Sequence, residues 1–412
     1  MRSTGCRQEE LIISHKLKVT VLFVIAMVLL AGLPGCSTRA GDNPEHTMEA
    51  LLTDLVQKDK SVKNCVLSVA KGDGSFSWSG AAGIAREDKQ APMGKETPIY
   101  AASITKLYTA VAVMRLYEEG FLSLDDPMAR YLPKSLIEGI HWYKGKDYSD
   151  KITIRQLLSH TSGIPDYYNG KPDGGKSLFE LFVERPERRW TVEETIDRVR
   201  KDLRPRSRPG RRAVYSGTNY QLLGKIIEAA TGKPLHLVFE ELIFRPLGLT
   251  HTYLIGWPQP QSAPPPVPAD VFYGDRNITT TRSNGAHWAD GGIVSTAPEI
   301  IAFLKALNEG RIIHRQTLGL MHDWRKLEFP LQYGYGTMRF NLPWLVSSAV
   351  SLPPLWGHSG STGSFCYYSE DLDLYMAGTV DQVDSKSTPF MLMRKVIKAM
   401  RSRAVVSASS ND

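Results

Sequence analysis

Strand-forming segments gather at the two ends of this chain, and that placement limits the fold more than any other feature. Asn64 to Lys71 alternates in strand fashion and runs into Gly72-Asp73-Gly74, a hairpin signal, after which Phe76 to Ile84 reads as the return strand. Near the other end, Gly292 to Ser295, the segment around Tyr367, and Leu372 to Val380 read as further strands. From Leu122 to Asn284 the pattern changes to short helices joined by long polar or proline-rich connections; examples are Ile154 to His160, Val192 to Asp202 and Asn219 to Ala230. Pro258 to Pro268 holds six prolines and must be an irregular surface loop. Early and late strands therefore have to share one sheet. The expected fold is α+β: an antiparallel sheet flanked by helices at Ser103–Glu118 and Thr388–Met400, with an inserted, mostly helical lobe.

A chain of 412 residues exceeds the size at which one core keeps growing, so two lobes are expected. The sheet lobe takes residues 46–121 and 285–403, the helical lobe 122–284, and a disordered tail 404–412. A helix around Thr47 to Lys58 opens the first lobe. A cleft between lobes is the default ligand site.

The first 36 residues read as a signal peptide. Lys16 and Lys18 precede an apolar run from Val19 to Leu30, which is short for a bilayer span and has the charged-then-apolar order of a secretory signal. Its end, Leu33-Pro34-Gly35-Cys36, resembles a bacterial lipobox, in which Cys36 would carry lipid and tether the chain to a membrane. Residues 37–45 then form a polar tether. The expectation is an exported protein, periplasmic or on the outer cell surface; an uncleaved membrane anchor is the alternative.

Net charge is +7, but the basic residues are scattered, and the densest run, Arg204 to Arg212, is broken by two prolines. No nucleic-acid partner is expected. Cys6 and Cys36 fall in the leader, leaving Cys65 and Cys366, whose proximity sequence does not reveal. With no Cys-x-x-Cys and no His-Glu-x-x-His, neither a metal nor another cofactor is expected.

Two Ser-x-x-Lys pairs occur, Ser68-Val69-Ala70-Lys71 and Ser103-Ile104-Thr105-Lys106. In a strand, residues three apart point to opposite faces, so Ser68 and Lys71 cannot meet. At a helix start they share a face, and the Lys106 amine can reach the Ser103 hydroxyl. The alternative, a helix-capping serine with a solvated lysine, fits poorly. A lysine in the first turn opposes the helix dipole, and the turns beyond (Leu107, Ala110, Val111, Ala112, Val113, Met114) are apolar almost all round. Burial would lower the lysine pKa and supply a neutral amine as base.

Several segments together resemble the serine β-lactamase, D-Ala-D-Ala carboxypeptidase and esterase superfamily, specifically its class C-like branch. They are Tyr100 to Lys106, Gly120 to Pro127, Ile152 to Pro165 (the most telling), Arg245 to Leu249 and Gly291 to Thr296, all in the expected order. The resemblance implies Ser103 as nucleophile, Lys106 as its first proton acceptor and Tyr215 of Tyr215-Ser216-Gly217 as a proton relay. Many relatives have asparagine where Gly217 stands, and Asn219 is offset by two positions. Gly217→Asn would on this reading favour amides over esters. The third family motif resembles His358-Ser359-Gly360, on a sheet-edge strand. There His358 would stabilise the far end of a substrate or the relay, Gly360 would admit the substrate backbone, and the Ser103 and Ser361 N–H groups would form an oxyanion hole.

Gly357-His358-Ser359-Gly360-Ser361 also resembles a nucleophile elbow, but no histidine follows His358, which rejects an α/β-hydrolase. The expected function is acyl-enzyme hydrolysis of a carboxylic ester or D-amino-acid amide, with cell-wall peptidoglycan peptides and β-lactams among the candidate substrates. The alternative is a non-catalytic penicillin-binding or wall-sensing protein on the same fold.

Overall fold

The computed structural model describes residues 43–409, save 257–266, 280–285, 329, 341–351 and 386, with side chains through 402. The leader, Cys36 with its lipobox, and most of the proline-rich loop lie outside the described residues.

The chain enters through helix α1 (Pro44–Lys58), which starts inside the expected tether because Asn43 caps it and Pro44 suits its first turn. Strands β1 (Asn64–Lys71) and β2 (Ser77–Arg86) form the foreseen hairpin, and β3 (Ala91–Pro92) extends it. Short strand β4 (Ile99–Tyr100) leads through a 3-10 turn, Ala102–Ile104, into helix α2 (Thr105–Glu118). The next stretch is mostly short helices, including α3 (Ile154–Leu158), α4 (Val192–Asp202) and α5 (Gly217–Thr231), plus two small hairpins that the sequence pattern did not suggest. Strands β5 (Tyr253–Leu254) and β6 (Ile293–Ser295) return to β4, and helix α6 (Ala297–Glu309) follows.

The C-terminal strands are β7 (Arg325–Glu328), β8 (Leu331–Tyr333), β9 (Met338–Phe340), β10 (Leu355–Ser359), β11 (Phe365–Ser369) and β12 (Leu374–Thr379). Among the described residues one nine-stranded antiparallel sheet runs β7-β8-β9-β10-β11-β12-β1-β2-β3. The two chain ends meet at β1 and β12, where Val66 pairs with Thr379 and Lys71 with Leu374. Strand β10 is interior rather than at the edge, because the β7–β9 meander continues the sheet beyond it. The closing helix α7 (Thr388–Ser409) runs past residue 403; Ala404, Val405, Val406 and Ala408 bring no glycine or proline to stop it, so the expected disordered tail is largely helical.

Strand alternation divides the core. Cys65, Leu67 and Val69 of β1 face one way, into a layer with Met48 and Leu52 of α1 and Leu392 and Val396 of α7. Val66 faces the other way, into the larger core shared with α2, α5 and α6. Cys65 and Cys366 belong to opposite layers, and both are free thiols. The decoy pair separates as its geometry requires: Ser68 Oγ bonds to Ser79 Oγ at 2.8 Å, while Lys71 donates to the Leu372 carbonyl.

Candidate active site

The segment before α2 is bent by Ala102, which holds φ of 46°, a left-handed conformation that costs a non-glycine residue energy. The bend is secured on both sides. Ala101 N–H donates to Ile293 O at 2.9 Å, and Ser364 Oγ donates to Ala101 O at 2.9 Å. Ser103 is thereby presented at the floor of a cleft of about 680 Å³, lined also by Lys106, Tyr215, Gly217, Gly360 and Ser361. Ser103 and Ser361, the residues expected to offer oxyanion donors, thus face one space, at the junction of the α2 and β10 ends.

Lys106 lies one helical turn on and is 1% exposed. Its Nζ donates to Ser103 Oγ at 3.2 Å, to the Asp290 carbonyl at 2.7 Å, and approaches Asp290 Oδ2 at 3.5 Å. The Tyr215 ring lies 5.1 Å from Nζ. Burial pulls the lysine pKa down, but the Tyr215 oxygen and the Asp290 carboxylate outweigh it and hold Lys106 above the ordinary lysine value. Burial alone therefore does not supply a neutral amine. Burial raises Tyr215, against the lowering influence of Lys106 and of hydrogen bonds to Ser103 and Lys106. Both groups keep their protons at neutral pH, and they titrate as a unit.

Tyr215 is held from behind by the most telling motif. Val214 N–H donates to His160 O at 2.9 Å, Ser216 N–H donates to His160 Nδ1 at 3.2 Å, and the His160 ring lies 4.5 Å from that of Tyr215. Asn219 turns into the lobe, donating to His160 Nδ1 at 3.0 Å and accepting from Ser162 Oγ at 2.6 Å. It does not replace the asparagine missing at 217.

His358 is placed differently from expectation. It is fully buried behind the cleft, with Nδ1 donating to Ser359 O at 2.8 Å and Nε2 accepting from Tyr333 at 3.1 Å. Burial and Lys106 push its pKa down to about 3, so it is neutral and spends both nitrogens on the scaffold. Its ring lies 6.4 Å from that of Tyr215, and it is not among the residues that line the cleft.

Sequence reasoning missed Asp290. This buried carboxylate accepts from Tyr167 OH at 3.0 and 3.1 Å and from Gln221 Nε2 at 3.1 Å, besides facing Lys106. Its turn is pinned to α2: Thr109 Oγ1 donates to Ala289 O at 2.6 Å, and Thr105 Oγ1 accepts from Ile293 N–H at 3.0 Å. The available signal was an acid directly before Gly291-Gly292 in an otherwise apolar stretch. Gly217 makes room for it, since a Cβ there would lie 2.5 Å from Asp290 Oδ2 and 2.8 Å from Tyr167. Gly217→Asn would therefore have to displace the Asp290 carboxylate and the Tyr167 ring.

Residues 54–395 match the β-lactamase family. The D-alanyl-D-alanine-carboxypeptidase/endopeptidase AmpH of Escherichia coli (strain K12) is 28% identical over 204 residues, 50% of this chain and 47% of that protein. Esterase EstB of Burkholderia gladioli is 31% identical over 208 residues, 48% of each. The chain spans about half the length of these curated relatives. A D-stereospecific amidohydrolase from a Streptomyces species superimposes with a TM-score of 0.69 at 27% identity, covering 86% of this chain and 98% of the other. A family match over most of the chain, together with a superimposable fold, leads to one conclusion: this chain belongs to the β-lactamase family.

Proposed function

We propose that the protein is an exported serine hydrolase that cleaves carboxylic esters and D-amino-acid amides through an acyl-enzyme. The observation that carries this reading is the meeting of Ser103 Oγ, Lys106 Nζ and Tyr215 at the floor of one cleft. Ser103 Oγ attacks the substrate carbonyl carbon while its proton passes to the Lys106–Tyr215 unit after that unit has lost one proton. The Ser103 and Ser361 N–H groups receive the developing oxyanion, an arrangement typically worth about 3–4 kcal/mol per donor. Tyr215 protonates the leaving alcohol or amine, and water then cleaves the ester to Ser103.

Charge supports a preference within that class. Asp166, Asp290, Glu328 and Asp384 line the cleft, and among the described lining residues Lys106 is the one cation. Such a surface favours acyl donors without a carboxylate beside the scissile bond, so short esters and D-amino-acid amides rank above carboxylate-terminated wall peptides and β-lactams. Export, and a lipid on Cys36, rest on the leader sequence.

The test is turnover of a short-chain nitrophenyl ester, a D-amino-acid amide and a D-Ala-D-Ala peptide, alongside fluorescent penicillin labelling, each against Ser103→Ala. Turnover that vanishes in the variant supports the reading. Ser103-dependent penicillin labelling with no turnover of any of the three establishes the non-catalytic binding protein instead.

A further inference from the structure

A buried carboxylate beside an active-site lysine is a costly arrangement that a hydrolase could avoid, so its presence calls for a function. Asp290 is not merely tolerated. Three groups converge on it, Lys106 Nζ at 3.5 Å, Tyr167 OH at 3.0 and 3.1 Å and Gln221 Nε2 at 3.1 Å, and Gly217 leaves it space, since a Cβ there would stand 2.5 Å from its Oδ2. Lys106 is bound to the same residue twice, through the backbone carbonyl at 2.7 Å and through the carboxylate. With Ser103 Oγ, these give all three ammonium protons an acceptor.

We infer that Asp290 is a positioning residue which clamps Lys106 as an ammonium against Ser103 and sets the pH at which the nucleophile becomes active, and that Gly217 is the space this clamp requires. The inference rests on the serine-hydrolase reading and adds to it which residue tunes the site.

The electrostatics follow from what surrounds the amine. Tyr215 faces it at 5.1 Å and Tyr220 of α5 at 5.8 Å, ring centroid to Nζ. Asp166 adds a second negative charge from the loop after α3. His160, His287 and His358 also sense Lys106, and burial lowers all three, so they stay neutral. Tyr167 and Tyr333 are pushed up by burial and remain phenols. Acylation needs one proton to leave the Lys106–Tyr215 unit, whichever of the two gives it up. A carboxylate beside the unit holds that proton on, so taking its charge away must lower the pH at which the unit ionises.

Two measurements test this. In Ser103→Ala protein, the Lys106 side chain is titrated by carbon-13 NMR at its ε-carbon, with and without Asp290→Asn. The neutral amide should move the midpoint down by about one pH unit or more, the usual size for an opposite charge at this range. In the Ser103-intact protein, the acid limb of kcat/KM for a nitrophenyl ester should move down by the same amount. A residue with only a structural role would lower kcat and leave both midpoints in place, which overturns the inference. If no ester is turned over but the NMR midpoint moves, the hydrolase reading fails and the clamp stands. Should Asp290→Asn fold poorly, Asp290→Ala serves in its place. Paired with Gly217→Asn, Asp290→Ala should recover at least half of the melting temperature that Gly217→Asn loses alone; no recovery overturns the pairing.

Discussion

A methyl group placed on the α-carbon of Gly360 would stand 2.8 Å from the carbonyl oxygen of Ala101. It would also come within 2.0 Å of Ser364 Oγ, the hydroxyl that holds that same carbonyl. The two backbones that carry the proposed oxyanion donors are thus in contact, and the distance between them depends on Gly360 having no side chain. Gly360→Ala should push the end of β10 off the Ser103 turn and lower kcat about 100-fold, since displacements near 1 Å cost that much. Steady-state ester kinetics with a circular dichroism check of the fold would measure it.

Tyr215→Phe keeps the ring that packs on His160 and removes only the hydroxyl. Loss of a proton-relaying group should lower kcat about 100- to 10,000-fold, with little change in KM. A raised KM with kcat unchanged would place the tyrosine in substrate binding instead.

Gly217→Ala should destabilise the protein by about 1–3 kcal/mol, the usual range for inserting a carbon into filled space. The added atom meets Asp290 and Tyr167 rather than solvent. Urea unfolding of the variant beside the parent would report it, and an unchanged midpoint would show that the turn at 290 yields.

Acid should weaken the fold through its buried histidines. His358 is lowered to about 3 from an ordinary 6.5, and burial lowers His160 and His287 as well. The unfolded chain takes up these protons near the ordinary value and the folded chain does not. The His358 contribution is therefore full above about pH 6.5 and falls as pH drops toward 3, by about 1.4 kcal/mol per pH unit, and His160 and His287 act in the same direction. His358→Gln should flatten the slope of unfolding free energy between pH 5 and 6.5 by one proton.

Cys65 and Cys366 should resist thiol reagents in the folded protein and react together on unfolding. Both are fully buried, and burial pushes each thiol up to about 12. Site-resolved mass spectrometry of alkylated peptides, with and without urea, would show it.

Features that depend on local pattern were legible before the structure. Alternation marked β1 and β2, and helix α4 begins where its sequence suggests because Thr191 and Glu194 form a capping box. Ser103 and Lys106 stood out because helical spacing alone brings them together. What escaped was set by distant partners. The strands β7 to β10 are short or interrupted, and their pairing depends on neighbours already in the sheet. Nothing local to His358 announces that Tyr333 and a backbone carbonyl will take both of its nitrogens. The lysine pKa was misjudged for the same reason: burial is readable from an apolar helix, but a carboxylate 184 positions away is not.

The pairing of β1 with β12 has a consequence for synthesis. Asn64 to Lys71 leaves the ribosome early, yet its partner Leu374–Thr379 is almost the last strand made. Until then that flank of the hairpin carries unpaired amides and carbonyls, a template for other chains. Release of a chain cut short before Leu374 would leave the flank open for good, so incomplete copies should aggregate rather than persist as smaller folded enzymes.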